Sequence, residues 1–339
     1  MLKRTIRYIL IWALLFAMAD ASTDREYKNI KYDAMLNGYS YPFKTNTFAL
    51  KSQNQTLQMS YMDVKPTANK PIKGNVVLLH GKNFAGYYWE KIATTLQKEG
   101  YRVIIPDQIG FGKSTKPTHY QYSFYQMALN TFALLESIGV DSFTLVGHSM
   151  GGMLATHFSY LYPKNVSKLI LINPIGLEPY LQYVEYKDTD FFFAKEKKKT
   201  AKGMRAYQKK NYYDGAWSEA YEQLLIPHIG QMNGDDWELI AWNNALTYSP
   251  IFAEDITSKF KDIQTKTVLI IGTRDKTGPG RGWKKEGVEK KLGEYDTLGK
   301  KTHATLPNST LYELPNLGHM PQVEDWDTFI KYFEKAIAQ

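Results

Sequence analysis

The feature that most constrains this 339-residue chain is the segment Leu-Val-Gly-His-Ser-Met-Gly-Gly at residues 145–152. It places Ser149 between Gly147 and Gly151, after the apolar residues 143–146 and before a helix-compatible stretch at 153–161. A strand that turns sharply into a helix imposes strained backbone angles on the turning residue and requires small neighbours. The segment therefore predicts a nucleophile elbow, in which a serine hydroxyl stands at the end of a strand.

Short apolar runs recur along the chain and predict buried strands of a parallel sheet. These runs are residues 76–79, 103–105, 143–146, 169–172, 268–271 and 311–314. Amphipathic stretches at 88–98 and 124–138 predict crossover helices between them, and the alternating residues 55–61 predict an antiparallel edge strand or hairpin. The expected fold class is α/β, with a mostly parallel central sheet, helices on both faces and function at the carboxyl ends of the strands.

Two regions interrupt this alternation. Residues 175–262 are rich in aromatic rings and lysine, and they predict a helical cap inserted between two parts of one core, 22–174 and 263–339. We expect most of the rings to pack the cap onto the core, although some would line a substrate pocket, and we interpret the lysines at 195–199 as a solvated helix face. Residues 276–305 predict an excursion that carries a short helix.

The first 21 residues have the pattern of a secretory signal peptide. Lys3, Arg4 and Arg7 precede the apolar residues 9–17, and a small-x-small cleavage site follows at 19–21. An uncleaved anchor is the alternative, but the apolar run is short for a hydrocarbon layer of ~30 Å. We therefore expect a protein exported to the periplasm or beyond, without integral membrane contact of the mature chain.

Export predicts an oxidising compartment, yet the chain has no cysteine, which excludes disulfides, thiolate catalysis and cysteine-ligated metals. The formal net charge of +8 becomes +6 without the leader, because Lys3, Arg4 and Arg7 contribute +3 and Asp20 contributes −1. We interpret a charge of this size as surface solvation. We expect a small-molecule acyl substrate and no nucleic-acid partner.

A serine hydroxyl is a poor nucleophile at neutral pH, so Ser149 needs a base and a third group that orients the base. His319 follows the predicted strand at 311–314, and Asp275 follows the predicted strand at 268–271. Both residues are therefore expected at the same edge of the sheet as Ser149. We predict Ser149 as nucleophile, His319 as base and Asp275 as the orienting acid, with Glu178 as the alternative acid.

Other polar residues receive structural interpretations. Asp107 lies at a strand end before the serine, and we expect it to brace a loop. His80 is expected to form hydrogen bonds beneath the loop that follows it, and His157 to pack on the helix after the elbow. The histidines expected at the surface are His119, His228 and His303.

Acyl transfer also requires hydrogen-bond donors for the developing oxyanion, and loss of one donor costs ~10² to 10³ in rate. The backbone N–H of Met150, directly after the nucleophile, is one candidate. The second is expected in the turn after residues 76–79, where Gly81 allows close backbone approach. We assign it to the N–H of Lys82, with Asn83 as the alternative.

Together, His80-Gly81, residues 107–114, the elbow at Ser149, Asp275 and Gly318-His319 resemble the α/β-hydrolase superfamily, in its group with a helical cap after the sixth strand. The resemblance covers nearly all of the mature chain. It implies a serine hydrolase that acts through an acyl-enzyme intermediate, without a metal or an organic cofactor. Serine at the elbow departs from relatives that use aspartate there to open epoxides or displace halide. The separation of Asp275 from His319 is longer than is usual in the family and predicts an insertion at the rim of the pocket.

The resulting expectation is an exported esterase or lipase-like hydrolase of small to medium acyl substrates. The same residues would also serve hydrolysis of a C–C bond in a diketone, of a lactone or of an amide. A ligand-binding scaffold without turnover is the alternative from a different class. The presence of Ser149, Asp275 and His319 argues against it, because binding alone does not require all three.

Overall fold

An eight-stranded sheet forms the centre of the molecule. The computed structural model describes residues 27–67 and 71–339. The strands of this part of the chain are β1 (Thr45–Ser52), β2 (Gln55–Val64), β3 (Gly74–Leu79), β4 (Tyr101–Pro106), β5 (Phe143–His148), β6 (Val166–Ile172), β7 (Thr267–Gly272) and β8 (Ser309–Leu314). Their order across the sheet is β1-β2-β4-β3-β5-β6-β7-β8. β2 pairs antiparallel with β1 and β4, and β3 to β8 run parallel, so the predicted α/β fold class is confirmed.

Each apolar run found in the sequence lies inside one of the parallel strands β3 to β8. β7 is buried along its whole length, and residues 76–79 of β3 are fully buried. A strand covered on both faces has no solvent side, so its sequence is a continuous apolar run rather than an alternating one. The strands extend beyond these runs because backbone pairing continues where the side chains become polar, as at the start of β6.

The described residues form twelve α-helices. They are α1 (Glu90–Glu99), α2 (Phe124–Ser137), α3 (Met150–Leu161), α4 (Tyr180–Tyr183), α5 (Thr189–Lys197), α6 (Ala201–Asn211), α7 (Glu219–Asn233), α8 (Trp237–Leu246), α9 (Tyr248–Ala253), α10 (Tyr295–Thr305), α11 (Pro321–Glu324) and α12 (Trp326–Ala338). Four short 3-10 turns accompany them at Tyr27–Asn29, Gly86–Trp89, Thr257–Asp262 and Arg281–Trp283.

Helices cover both faces of the sheet, as predicted. Successive strand residues point to opposite faces. Val76 therefore joins an apolar cluster with Ile92 of α1 and Phe333 of α12. The next residue, Val77, joins a second cluster that includes Phe158 of α3. This arrangement leaves the carboxyl ends of the parallel strands uncovered by the core helices, so the loops at that edge are free to form a site.

Helices α4 to α9 lie between β6 and β7 in the chain. We call residues 180–253 the helical segment. Its rings form an internal cluster in which Phe192 stacks on Tyr248 at 4.2 Å between centroids, and Trp283 packs against Phe191 at 5.4 Å. Trp283 belongs to the predicted excursion at 276–305, where the predicted short helix is α10.

The predicted signal peptide at residues 1–21 lies outside the described residues. In residues 27–67 and 71–339, none of the helices is both long and apolar enough to cross a membrane.

Candidate active site

The turn from β5 into α3 has the geometry of the predicted elbow. Ser149 has φ 56° and ψ −120°, an angle pair that L-residues rarely adopt. The residues two positions before and after it are glycines for steric reasons. A Cβ on Gly147 would overlap the backbone carbonyl of Gly151, and a Cβ on Gly151 would overlap the backbone of Leu79. The glycines therefore allow the start of α3 to lie directly against the end of β3.

Three side chains from three strand ends meet at this turn. His319 Nε2 lies 2.9 Å from Ser149 Oγ, and His319 Nδ1 lies 2.6 Å from Asp275 Oδ2. A carboxylate only accepts hydrogen bonds, so Nδ1 carries the proton and Nε2 is free to accept from the serine hydroxyl. Exposed fractions are 9% for Ser149, 0% for Asp275 and 1% for His319. The structure thus brings together the three residues predicted as the triad, in the arrangement that activates a serine.

Asp275 is held as an anion by several donors. Burial favours its neutral form, but the attraction of His319 and hydrogen bonds from His319 and Thr277 outweigh this and lower the pKa of Asp275. The Thr277 N–H donates to Oδ1 at 2.7 Å, and Asn173 Nδ2 donates to Oδ2 at 2.9 Å. Asn173 also pairs with both backbone groups of Gly272 at the end of β7, at 2.8 and 3.1 Å. This asparagine, which the sequence did not single out, fixes the acid relative to the sheet.

The alternative acid has other partners. Glu178 Oε2 accepts from the Gly293 N–H at 2.8 Å, and Oε1 lies 3.6 Å from the Lys290 ammonium. Glu178 therefore fastens the excursion at 276–305 to the loop after β6. Asp107, for its part, accepts from the N–H groups of Gly86 and Lys113 at 2.6 and 2.8 Å. It braces its loop, as its place before the serine suggested.

The histidines away from the triad fall into two groups. His119 and His303 are exposed, as predicted. His157 stacks on Phe124 at 5.0 Å between ring centroids, which is the predicted packing role. The surface assignment of His228 is wrong, because its Nε2 is buried and has no hydrogen-bond partner among the described residues. His228 packs edge-on against the ring of Trp237 on α8, at 5.4 Å between centroids, a contact that its own helix pattern did not indicate.

The predicted oxyanion donors flank the serine. Met150 is the first residue of α3, where a backbone N–H has no partner within the helix. A Cβ on Gly81 would lie 3.1 Å from Ser149 Cβ, so the loop after β3 passes directly beside the nucleophile. In the described part of the chain, the N–H groups of Met150, Lys82 and Asn83 have no hydrogen-bond acceptor. The geometry leaves both loop residues open as the second donor.

A buried hydrogen-bond chain connects the three parts of this site. The Gly81 N–H donates to the Tyr88 hydroxyl at 3.1 Å, and that hydroxyl lies 3.1 Å from His148 Nδ1. His148 Nε2 lies 2.8 Å from the carbonyl oxygen of His319. A carbonyl only accepts, so His148 carries its proton on Nε2 and the Tyr88 hydroxyl donates to Nδ1. Burial, reinforced by His319, lowers the pKa of His148 to about 3, which keeps this ring neutral.

The helical segment covers the triad. The ring of Tyr212, which follows α6, lies 4.6 Å from the His319 ring, and Asn83 Nδ2 donates to the Tyr212 hydroxyl at 3.2 Å. The Lys82 ammonium donates to the Asn244 carbonyl at 2.6 Å and to the Thr247 hydroxyl. These contacts explain why the triad is nearly inaccessible to solvent.

A cavity with about 370 Å³ of empty space, its open mouth included, lies beside the loop that carries Lys82. We call it the side cavity. Its wall nearest the triad is formed by Lys82 and Asn83, and Ser149 itself is not part of the lining. Pro227, His228 and Asn244 of the helical segment also line the cavity. A ligand in the side cavity would therefore lie next to the oxyanion loop.

Comparison with known proteins gives consistent matches. A family model described as alpha/beta hydrolase fold matches residues 74–325. A probable hydrolytic enzyme from Pseudomonas aeruginosa PAO1 is 39% identical in its crystal structure; the match covers 91% of this chain and 99% of that chain, with a TM-score of 0.88. The 2-hydroxy-6-oxo-6-phenylhexa-2,4-dienoate hydrolase of Burkholderia cepacia is 26% identical over 75% of this chain and 84% of its own length. An esterase from Exiguobacterium antarcticum is 18% identical over 87% of this chain and 100% of that chain, with a TM-score of 0.67, which is a likeness of fold.

Proposed function

This chain belongs to the alpha/beta hydrolase family and is a hydrolase, and on that premise we propose that it cleaves carboxylic esters of small to medium acyl substrates with Ser149, His319 and Asp275. The observation that carries the proposal is the continuous contact from Ser149 Oγ through His319 to Asp275, at 2.9 and 2.6 Å. A serine that is hydrogen-bonded to a base, which is in turn oriented by a buried carboxylate, is the arrangement needed for nucleophilic catalysis at a carbonyl.

In the first half of the reaction, Ser149 Oγ attacks the ester carbonyl carbon and its proton passes to His319 Nε2. The carbonyl oxygen becomes an oxyanion, which accepts hydrogen bonds from the N–H groups of Met150 and Lys82. Asp275 stabilises the imidazolium that forms and keeps Nε2 directed at the serine. His319 then gives the proton to the alcohol oxygen as the C–O bond breaks, and the acyl group stays on Ser149.

In the second half, a water molecule takes the place of the alcohol. His319 removes a proton from this water, whose oxygen attacks the acyl carbon. The same N–H groups donate to the second oxyanion, and the proton returns from His319 to Ser149 Oγ as the acyl-enzyme bond breaks. The products are the carboxylic acid and the free enzyme.

The relative from Burkholderia cepacia favours a second candidate function. Its named substrate is a hydroxy-oxo-dienoate, which contains no ester bond, so its hydrolysis separates two carbons. The same serine, base and oxyanion donors would serve that chemistry here. A vinylogous diketone tested beside simple esters distinguishes the two functions.

We also propose that residues 1–21 are removed on export and that the helical segment acts as a cap over the substrate. The first proposal rests on the sequence pattern, and the second is supported by the contacts of Tyr212 and Lys82 across the site. N-terminal sequencing of the protein from cell envelope and medium tests the first proposal. If the membrane-bound protein still begins at Met1, residues 1–21 are an uncleaved anchor and the signal-peptide proposal fails.

The catalytic proposal is tested with the chain that begins at Ser22. A fluorophosphonate probe is expected to label Ser149, and a series of nitrophenyl esters of increasing acyl length is expected to be hydrolysed with a maximum at short or medium chains. Ser149→Ala is expected to abolish both signals with little change in melting temperature. Ester turnover that persists in Ser149→Ala would refute the assignment of the nucleophile.

A further inference from the structure

The side cavity contains cationic and hydrogen-bonding groups that no protein carboxylate neutralises at close range. The ion pairs of the described residues include neither Lys82 nor Lys116, which both line this cavity. Isolated charges are costly to bury and are normally paired. The Lys116 ammonium donates to the carbonyl oxygens of Gly112 and Ser114, so the charge that most requires an explanation is that of Lys82.

Lys82 is the more informative of the two lysines. Its ammonium has three N–H groups, of which two are directed at Asn244 and Thr247, and it lies 4.0 Å from the ring centre of Tyr248. Burial lowers the pKa of Lys82 to about 7, although the Glu196 carboxylate acts in the opposite direction. An anion at this ammonium would stabilise its charged form through a charge-assisted hydrogen bond.

The lining of the side cavity includes one buried polar atom without a partner among the described residues. His228 on α7 has a buried Nε2 that lacks a hydrogen-bond partner within the described ranges. Burial lowers the pKa of His228 to about 3, so the ring is neutral and offers one N–H donor. A buried polar atom without a partner in a native structure points to a ligand, an ion or a water.

The nearby carboxylates already have partners. Glu196 lies 2.7 Å from the Lys199 ammonium and accepts from the Tyr248 hydroxyl at 3.1 Å. Asp107 is occupied by the loop contacts described above and by the Tyr41 hydroxyl at 2.7 Å. Asp33 acts on Lys116 as well, and it accepts from the N–H groups of Met35 and Asn37. The lysines Lys82, Lys116 and Lys199 thus balance three carboxylates in total charge, but among the described residues none of these carboxylates forms an ion pair with Lys82 or Lys116.

We propose that the side cavity binds a free carboxylate of the substrate, with Lys82 Nζ and His228 Nε2 as its donors. The natural substrates are then acidic esters, which carry a carboxylate in addition to the bond that is cleaved. The ester bond in these substrates rests on the proposed function, whereas the carboxylate-binding site rests only on the groups that line the cavity. Phe84, Phe111 and Ile240, which also line the cavity, provide apolar surface for the carbons between the two groups.

The position of Lys82 limits the distance between the carboxylate and the scissile bond. Its backbone N–H is a candidate oxyanion donor, whereas its ammonium lies at the far end of the same side chain. A substrate that uses both groups of one lysine needs a short spacer of a few carbons. Monoesters of four- to six-carbon dicarboxylic acids meet this condition when the acid is in the acyl part, and acyl esters of hydroxybenzoates meet it when the acid is in the alcohol part.

Binding is measured first, on the Ser149→Ala variant, so that the result does not depend on turnover. Calorimetry compares methyl hydrogen glutarate with methyl pentanoate, which has the same chain with a methyl group in place of the carboxylate. The alcohol-side pair is 4-acetoxybenzoate and 4-acetoxybenzamide. We expect the anion of at least one pair to bind tenfold or more tightly than its neutral counterpart, since a hydrogen bond to a charged group contributes ~1.5–3 kcal/mol and 1.4 kcal/mol is tenfold.

Adding Lys82→Met or His228→Leu to Ser149→Ala is expected to remove this preference. Lys113→Met is the matched control, because Lys113 lies on the same loop as Lys116 but outside the cavity lining, with its ammonium over the Tyr41 ring at 5.1 Å. Thermal unfolding checks the fold of each variant. If Lys82→Met does not fold, the decision rests on His228→Leu.

Equal or weaker binding of both anions, or a preference that survives both substitutions, overturns the inference. A preference that disappears in Lys82→Met and His228→Leu but persists in Lys113→Met supports it. If Ser149→Ala binds the anion selectively while the wild-type enzyme hydrolyses none of the four esters, the carboxylate site stands and the proposed ester function fails. If the wild-type enzyme hydrolyses the neutral esters and Ser149→Ala shows no preference for the anions, the ester function stands and the carboxylate site fails.

Discussion

Replacing Tyr88 by phenylalanine tests the buried hydrogen-bond chain that joins the parts of the active site. The substitution keeps the ring, which stacks on Trp89 at 4.7 Å, and removes only the hydroxyl. That hydroxyl accepts from the Gly81 N–H and donates to His148 Nδ1, both at 3.1 Å. Tyr88→Phe therefore leaves two buried polar groups without a partner.

The loss in the free energy of unfolding follows from the number of buried groups that lose their hydrogen-bond partner. An unsatisfied buried donor or acceptor costs ~1–3 kcal/mol, so two of them lower the free energy of unfolding by roughly 2–6 kcal/mol. Tyr87→Phe is the matched control, since its hydroxyl makes one hydrogen bond, to the Leu224 carbonyl at 3.2 Å, and its loss should cost about 1 kcal/mol. Urea unfolding of both variants measures the difference.

Catalysis should respond as well, because Tyr88 determines which nitrogen of His148 carries the proton. Without the donor at Nδ1, the proton of His148 is free to move there, and Nε2 then faces the His319 carbonyl oxygen without a hydrogen. We expect kcat to fall by roughly tenfold or more, since small displacements of catalytic groups are costly. Nitrogen NMR of labelled histidine should show His148 protonated at Nε2 in the wild type and a shift toward Nδ1 in Tyr88→Phe.

The NMR measurement separates positioning from simple destabilisation, which would leave the tautomer unchanged. The reasoning is refuted if Tyr88→Phe and Tyr87→Phe lose the same stability and both keep the kcat and the His148 tautomer of the wild type. A loss of stability alone would make Tyr88 a purely structural residue.

Three further predictions follow from the same geometry. Asp275→Asn should lower kcat by up to ~10⁴ through the wrong imidazole tautomer, whereas Glu178→Gln should retain most activity; an equal loss in both would reverse the choice of acid. Gly151→Ala should lower the free energy of unfolding by about 3 kcal/mol or more, because its Cβ would overlap strand backbone, whereas Gly282→Ala meets no atom within 4 Å and should melt like the wild type. Stability to urea should fall as the pH is lowered from 6.5 to 5, by about 2 kcal/mol for each histidine that burial keeps neutral, because the unfolded chain binds protons in this range and the native chain does not. These histidines are His148, His157 and His228, with pKa values lowered to about 3, 4 and 3. A free energy of unfolding that stays constant between pH 7 and 5 would contradict this prediction.

The parallel strands and the elbow could be predicted from sequence because their causes are local. A strand covered on both faces is apolar throughout, and the turn at Ser149 excludes a Cβ at Gly147 and Gly151. Asp275 and His319 could be proposed because each follows a recognisable strand, and parallel strands end at one edge. The family and the fold class that these features indicated are confirmed.

The supporting network could not be predicted in the same way. Tyr88 and His148 are 60 residues apart, and His148 contacts a carbonyl 171 residues further along the chain. Asn173 reaches Asp275 across 102 residues. His228 gave a wrong expectation for the same reason, since its burial comes from a wall formed by other segments and not from its own helix.

The sequence by itself determined the elements of this protein and the chemical types at the strand ends, since backbone sterics and strand burial act over a few neighbouring residues. Only the tertiary structure decided which groups complete the site. The neutral tautomer of His148, the ionised state of Asp275 and the unpaired charge of Lys82 all depend on which distant groups approach them in a low-dielectric interior. There, electrostatic and hydrogen-bond energies are set by ångström distances that no local pattern encodes.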